Sequence, residues 1–293
     1  MLIPVPIVRR IEHDGTPPPP PEIQQVRAVV ASILGSLRGS EHLPDSGLNW
    51  AAAYVTRDRT HQVVVTTTDA GWLPPGVLVP RGARVLWNVP TAVPWSAVDD
   101  PVRQLVEFAA TEGLTISALA TTHRSRAHYS PAAPGRLVGV DRPGPVLDGG
   151  AGRFELVSSP TRVAQIRAMT PEQADRQTRA LLRDLERLTV EPAHAIGLEE
   201  ARAEARRFLG SGREVPTAVL AQLHRDEEAL DDALALGRID PRVPSPGAPP
   251  PSGRELRDRL LERAVLAATI AGAYHDVESA VYAWTFARHL ARA

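Results

Sequence analysis

The sequence predicts an α/β front half, built on a mixed or antiparallel sheet, followed by an all-α back half. Three observations predict it. Short β-rich runs alternate with turn signals between residues 48 and 89, and the stretch 130–152 is dense in proline and glycine. From Thr170 almost to the end, apolar residues recur at helical spacing. A length of 293 residues suits two domains. The expected division is a Pro-rich arm over 1–21, an α/β domain over 22–165 carrying the loop 130–152, and a helical domain over 166–293.

Each element has its own signal. Five consecutive prolines at 17–21 form a stiff arm that cannot join a core. Ile23, Val26, Val30, Ile33, Leu34 and Leu37 then give a helix with one apolar stripe. Leu48–Thr56 and His61–Thr68 read as a hairpin. Val77–Val79, Arg84–Val89 and Leu137–Val140 read as further strands, and Phe154–Ser158 as a returning edge strand. Asp99 and Asp100 before Pro101 start a helix, because carboxylates meet its orphan N–H groups and proline fits its first turn. Thr170 with Gln173 is a capping box. Helices are expected over Pro171–Val190, Leu198–Leu209, Pro216–Leu236 and Gly253–Ala291, the last bent near Gly272.

Composition narrows the function classes. All 33 basic residues are arginine, which excludes Schiff-base and P-loop lysine chemistry. Cysteine is absent, which removes disulfides, thiolate nucleophiles and iron–sulfur clusters. A formal net charge of −1 supplies no global field toward nucleic acid, so no nucleic-acid partner is expected. The apolar stretch 264–273 is too short to cross a bilayer, so no membrane insertion is expected. Apolar residues at 1–8 precede Arg9 and Arg10, the reverse of a signal peptide. The expected location is cytoplasmic, or exported without a cleavable signal.

No glycine-rich phosphate loop and no G-x-S-x-G elbow occurs, so no catalytic residue and no cofactor is assigned. His224 with Glu228, and His275 with Glu278, have spacings that can build a metal site between helices. The charges around His224 read instead as a solvated face, and no metal is assigned. His123, Arg124, Arg126 and His128 form the densest local polar cluster, where a small anion could be gripped. Four of the five tryptophans fall within residues 50–95. Trp50 and Trp87 lie in strand-like runs and read as core. Trp72, beside Pro74 and Pro75, and Trp95 lie in turns, where an indole packs the turn or anchors a partner.

The runs Leu48-Asn-Trp-Ala-Ala-Ala, Val63-Val-Val-Thr-Thr-Thr and Gly71-Trp-Leu-Pro-Pro-Gly-Val77 resemble a domain of unknown function in uncharacterised mycobacterial and related actinobacterial proteins. Some of these are encoded near type VII secretion genes. The lysine-free, Pro- and Ala-rich composition agrees with that origin. Tyr274-His-Asp-Val-Glu278 and Tyr54-Val-Thr-Arg-Asp58 match the pattern Y-x-x-x-[DE], similar to the export motif of type VII substrates, although its W-x-G helical hairpin is missing. The resemblance implies a context rather than a reaction and brings no catalytic residues.

Two readings follow. The first is a non-enzymatic interaction module, an accessory factor or substrate of type VII secretion, that meets a protein partner through Trp72, Pro74, Pro75 and Trp95. The second is an enzyme or binding protein for a small anionic ligand held by His123, Arg124, Arg126 and His128.

Overall fold

A computed structural model describes residues 19–38, 48–89, 100–123, 136–188, 198–237 and 253–292. Its front half is a mixed sheet covered by helices, and its back half is mostly helical. The strands β1 (Trp50–Arg57) and β2 (Thr60–Thr67) form the expected hairpin, with Tyr54 opposite Val63. Asp58 turns it at φ 53°, a left-handed conformation that Asp tolerates better than most residues. A short pair, β3 (Leu78–Val79) with β7 (Ala151–Gly152), stands apart. The five-stranded sheet adds β4 (Ala83–Val85) parallel to β2, β5 (Thr115–Thr121) antiparallel to β1, and β6 (Arg136–Gly139) parallel to β5.

Side-chain alternation divides the sheet into two buried faces. Trp50, Ala52, Val63, Val65, Ala118 and Ala120 face α1 (Pro21–Arg38). Ala51, Ala53, Val55, Val64, Ile116 and Leu119 face α2 (Pro101–Glu112) through Val102, Leu105 and Phe108. The Asp100 carboxylate caps α2, accepting from the Val102 and Arg103 N–H groups at 2.9 and 3.2 Å. Gln104 hooks α2 to β2: its side chain accepts from the Thr66 hydroxyl at 2.6 Å and donates to the Thr67 carbonyl at 3.1 Å.

Within the Pro/Gly-rich segment, residues 144–147 form a strap over α1. The Gly144 N–H donates to the Ala31 carbonyl at 2.8 Å and the Leu147 N–H to the Ser32 hydroxyl at 2.9 Å. Gly35 permits this approach, because a Cβ there would stand 2.2 Å from the Gly144 carbonyl oxygen.

The back half comprises α3 (Arg153–Val157), α4 (Pro160–Arg167), α5 (Pro171–Leu185), α6 (Glu199–Gly210), α7 (Thr217–Gly237), α8 (Gly253–Ala273) and α9 (Val277–Leu290). One buried cluster runs from α1 and the sheet through Trp72 and Trp87 to Leu260, Tyr282 and Phe286. The two halves share a core.

Several expectations need correction. Residues 154–157 are helical rather than an edge strand, because the Glu155 carboxylate accepts from the Gly152 N–H at 2.9 Å and closes a helical first turn. The strand expected over Arg84–Val89 ends at Val85 and becomes a 3-10 turn over Leu86–Asn88. The last helix is not bent at Gly272 but broken at His275, which has φ 58°. Gly272 instead lets α8 approach its neighbours: a Cβ would lie 3.1 Å from Thr178 and 3.3 Å from Leu182 and Leu209. The interior strand β5 and the helix α4 carried no recognised signal in the sequence.

Candidate functional site

The turn over residues 68–77 is the meeting point of the two halves. Trp72 is 2% exposed, so its indole is not free to anchor a partner. The physical reason is that α9 occupies it: the Trp72 ring lies 5.0 Å from Phe286 in an edge-on arrangement and 5.1 Å from Tyr282. Trp87 packs on the same two rings at 5.1 and 5.9 Å, and its indole N–H donates to the Gly71 carbonyl at 3.0 Å. Pro74 is buried and Pro75 exposed. Trp95 lies outside the described residues, as do Arg124, Arg126 and His128. His123 lies just beyond β5, where its backbone N–H donates to the Thr121 hydroxyl at 3.1 Å.

Polar groups fasten the same junction. The Leu73 N–H donates to the Tyr282 hydroxyl at 2.7 Å. Burial pushes the Tyr282 phenol well above its usual value, so it stays neutral. Arg263 on α8 pairs with Asp69, whose side chain is wholly buried, and with Asp231 on α7 at 2.7 Å. The same guanidinium stands 5.5 Å from the Trp72 ring centre, a cation–π contact. On the far side Arg153 lies 5.2 Å from the Tyr282 ring centre and donates to the Ser279 hydroxyl at 2.6 Å. Burial pulls Arg153 below its usual value, while Tyr282, Asp276 and Glu227 partly offset that.

Two further titratable groups border the junction. Desolvation, then repulsion from Asp231, raises the Glu227 carboxyl, with His224 and Arg263 opposing. Burial lowers the His289 imidazole to about 4, beside Trp87 at 5.6 Å. The residues singled out for metal spacing go to separate partners. His275 Nδ1 lies 2.8 Å from Asp175, Glu278 pairs with Arg167 at 2.8 Å, and His224 Nε2 meets the Tyr274 hydroxyl at 3.0 Å.

The chemistry of this centre is cohesive. Each carboxylate faces a guanidinium, the phenol accepts a backbone N–H, and four aromatic rings fill the space between. Sequence reasoning found Trp72 but missed Asp69, Arg263 and Tyr282. Burial of the charged pair is the one signal that marks them, and it exists only in the folded chain.

At the surface, four large apolar side chains are more than a third exposed among the described residues: Leu78, Val146, Leu147 and Tyr274. Gly150 lies between the Leu78 side chain and the Leu147 backbone carbonyl, and Val146 sits against Gly35 of α1. Three of the four therefore belong to the strap and its neighbouring β3. Tyr274, at the turn between α8 and α9, is 56% exposed.

No protein-family model matches the chain, and no curated protein matches it. Among solved structures it is similar to a fragment of the conserved hypothetical protein Rv3899c from Mycobacterium tuberculosis, with 18% sequence identity and a TM-score of 0.46. That similarity covers 92% of this chain and 94% of the other. No helix among the described residues is long and apolar enough to cross a membrane.

Proposed function

We propose that this chain is a non-enzymatic interaction module, an accessory factor or substrate of actinobacterial type VII secretion, that meets a protein partner through an apolar surface on its front half. The observation that carries this reading is the exposure of the apolar side chains Leu78 on β3 and Val146 and Leu147 on the strap. Contiguous exposed apolar surface is characteristic of contact sites. The backbone hydrogen bonds of the strap to Ala31 and Ser32 hold that surface on α1, which lowers the ordering cost of association. The secretion context rests on the resemblance of the three front-half runs and on Tyr274, which stands exposed at the head of its Y-x-x-x-[DE] sequence.

The test is affinity capture from an actinobacterial lysate with the native chain and with Leu78→Asp/Leu147→Asp. Recovery of a specific protein by the native chain, lost in the variant while its melting temperature is kept, is the expected result. Identical recovery by both chains would remove the surface from the reading. Export of the native chain but not of Tyr274→Ala by an actinobacterial host would support the secretion context, and equal export of both would remove the tyrosine from it.

A further inference from the structure

A second region of interest lies away from the junction, between α5 and α6. Arg179 and Arg183, one helical turn apart on α5, and Arg206 on α6 line a cleft of about 180 Å³ together with Leu182 and Leu209. Neither Arg179 nor Arg183 has an ion-pair partner among the described residues. Glu186 is the one carboxylate lining the cleft, and it stands 3.9 Å from Arg206, a long contact made by a side chain 47% exposed. Arg206 is only 19% exposed. Arg202, one helical turn earlier on α6, is engaged by Glu199 at 2.5 Å and Glu262 at 3.4 Å. Desolvation and repulsion from Arg202 pull the Arg206 guanidinium below its usual value, with Glu186 and Glu199 offsetting only part. Three guanidinium groups thus line a cleft with one loosely held carboxylate, in a chain whose overall formal charge is −1.

We propose that the α5–α6 cleft is a binding site for a phosphate group, presented by a small phosphate monoester or as inorganic phosphate. Guanidinium forks match the oxygen geometry of phosphate and bind it by charge-assisted hydrogen bonds. The size decides the ligand class: sites for drug-sized molecules enclose about 300–1,000 Å³, and this cleft is below that range. It holds a phosphate and a short attached chain, with Leu182 and Leu209 beneath the apolar part of that chain. The site does not depend on the interaction surface proposed above, and either can fail without the other.

Isothermal titration of the full chain with inorganic phosphate, glycerol 3-phosphate and acetate, at fixed ionic strength, tests the site. Saturable binding of at least one phosphate compound, with acetate weaker by about tenfold or more, is expected. Tighter binding of glycerol 3-phosphate identifies a monoester as the ligand, and equal binding identifies the phosphate itself. Arg183→Gln/Arg206→Gln should abolish the signal while keeping the native far-ultraviolet circular dichroism. Glu186→Gln should tighten binding severalfold by removing the competing carboxylate, a gain that a purely structural role for Glu186 would not produce. Absence of saturable binding, equal binding of acetate, or unchanged binding in the double arginine variant would each overturn the proposal.

Discussion

Arg263 on α8 reaches Asp69 in the turn after β2, across 194 residues of sequence, and the two side chains are 10% and 0% exposed. This pair ties the sheet to the helical half at the place where Trp72 and Tyr282 also meet. Removing one partner of a buried pair leaves an uncompensated charge, which costs about 3–5 kcal/mol. Asp231 remains beside Arg263, so Asp69→Ala is expected at the lower end, about 3 kcal/mol. Arg263→Met takes the guanidinium away from both Asp69 and Asp231 and should cost at least as much. Urea denaturation of the two single variants and the double variant checks this, and the double variant should lose less than the sum.

Trp72 and Pro75 are three residues apart and differ in burial, which separates their expected effects. Trp72→Ala empties the space between Phe286 and Tyr282 and should destabilise by about 3–5 kcal/mol. Pro75→Ala, at an exposed position, should stay within about 0.5 kcal/mol. Thermal denaturation followed by tryptophan fluorescence distinguishes the two.

Tyr282→Phe keeps the ring and removes the hydroxyl that accepts the Leu73 N–H. A buried donor left without a partner costs about 1–3 kcal/mol. The Leu73 amide should also exchange its hydrogen faster, which hydrogen-exchange mass spectrometry reads directly.

His289 gives stability a pH dependence. In the folded chain its imidazole takes up a proton only near pH 4, whereas the ordinary value is 6.5. Between those two values the unfolded chain binds more protons, so stability falls as pH drops from 6.5 toward 4 and the contribution is fully present above 6.5. The loss amounts to at most about 3 kcal/mol. Equilibrium unfolding at pH 7 and pH 4.5 should show a smaller difference for His289→Leu than for the native chain. An unchanged difference would remove His289 as a source.

Gly35→Ala should displace the strap, because the added Cβ meets a backbone oxygen rather than a flexible side chain. Limited proteolysis should then cut within residues 140–150 faster than in the native chain. Capture of a partner through Val146 and Leu147 should weaken in parallel.

Much of the fold was legible in the sequence. The Ile23–Leu37 stripe, the 48–68 hairpin, the Asp100 cap and the Thr170 capping box each rest on interactions within a few residues, which periodicity and cap chemistry report. β5 was not legible, since Thr115-Ile-Ser-Ala-Leu-Ala-Thr121 mixes small residues with apolar ones and owes its strand state to pairing with β1. The break at His275 was equally hidden, because the apolar pattern runs on across it and the stop is made by a single left-handed residue.

The turn at 68–77 shows the same division at the site. By itself the sequence determined that Gly71-Trp-Leu-Pro-Pro-Gly76 is a rigid turn carrying an aromatic residue, because proline and glycine restrict the backbone locally. Only the tertiary structure decided which way the indole faces. Trp72 turns inward since Tyr282 and Phe286, more than 200 residues later, complete an apolar pocket for it, and Arg263 stands beside that pocket to meet Asp69. Local rules fix backbone shape, whereas burial depends on what the rest of the chain brings to the same place.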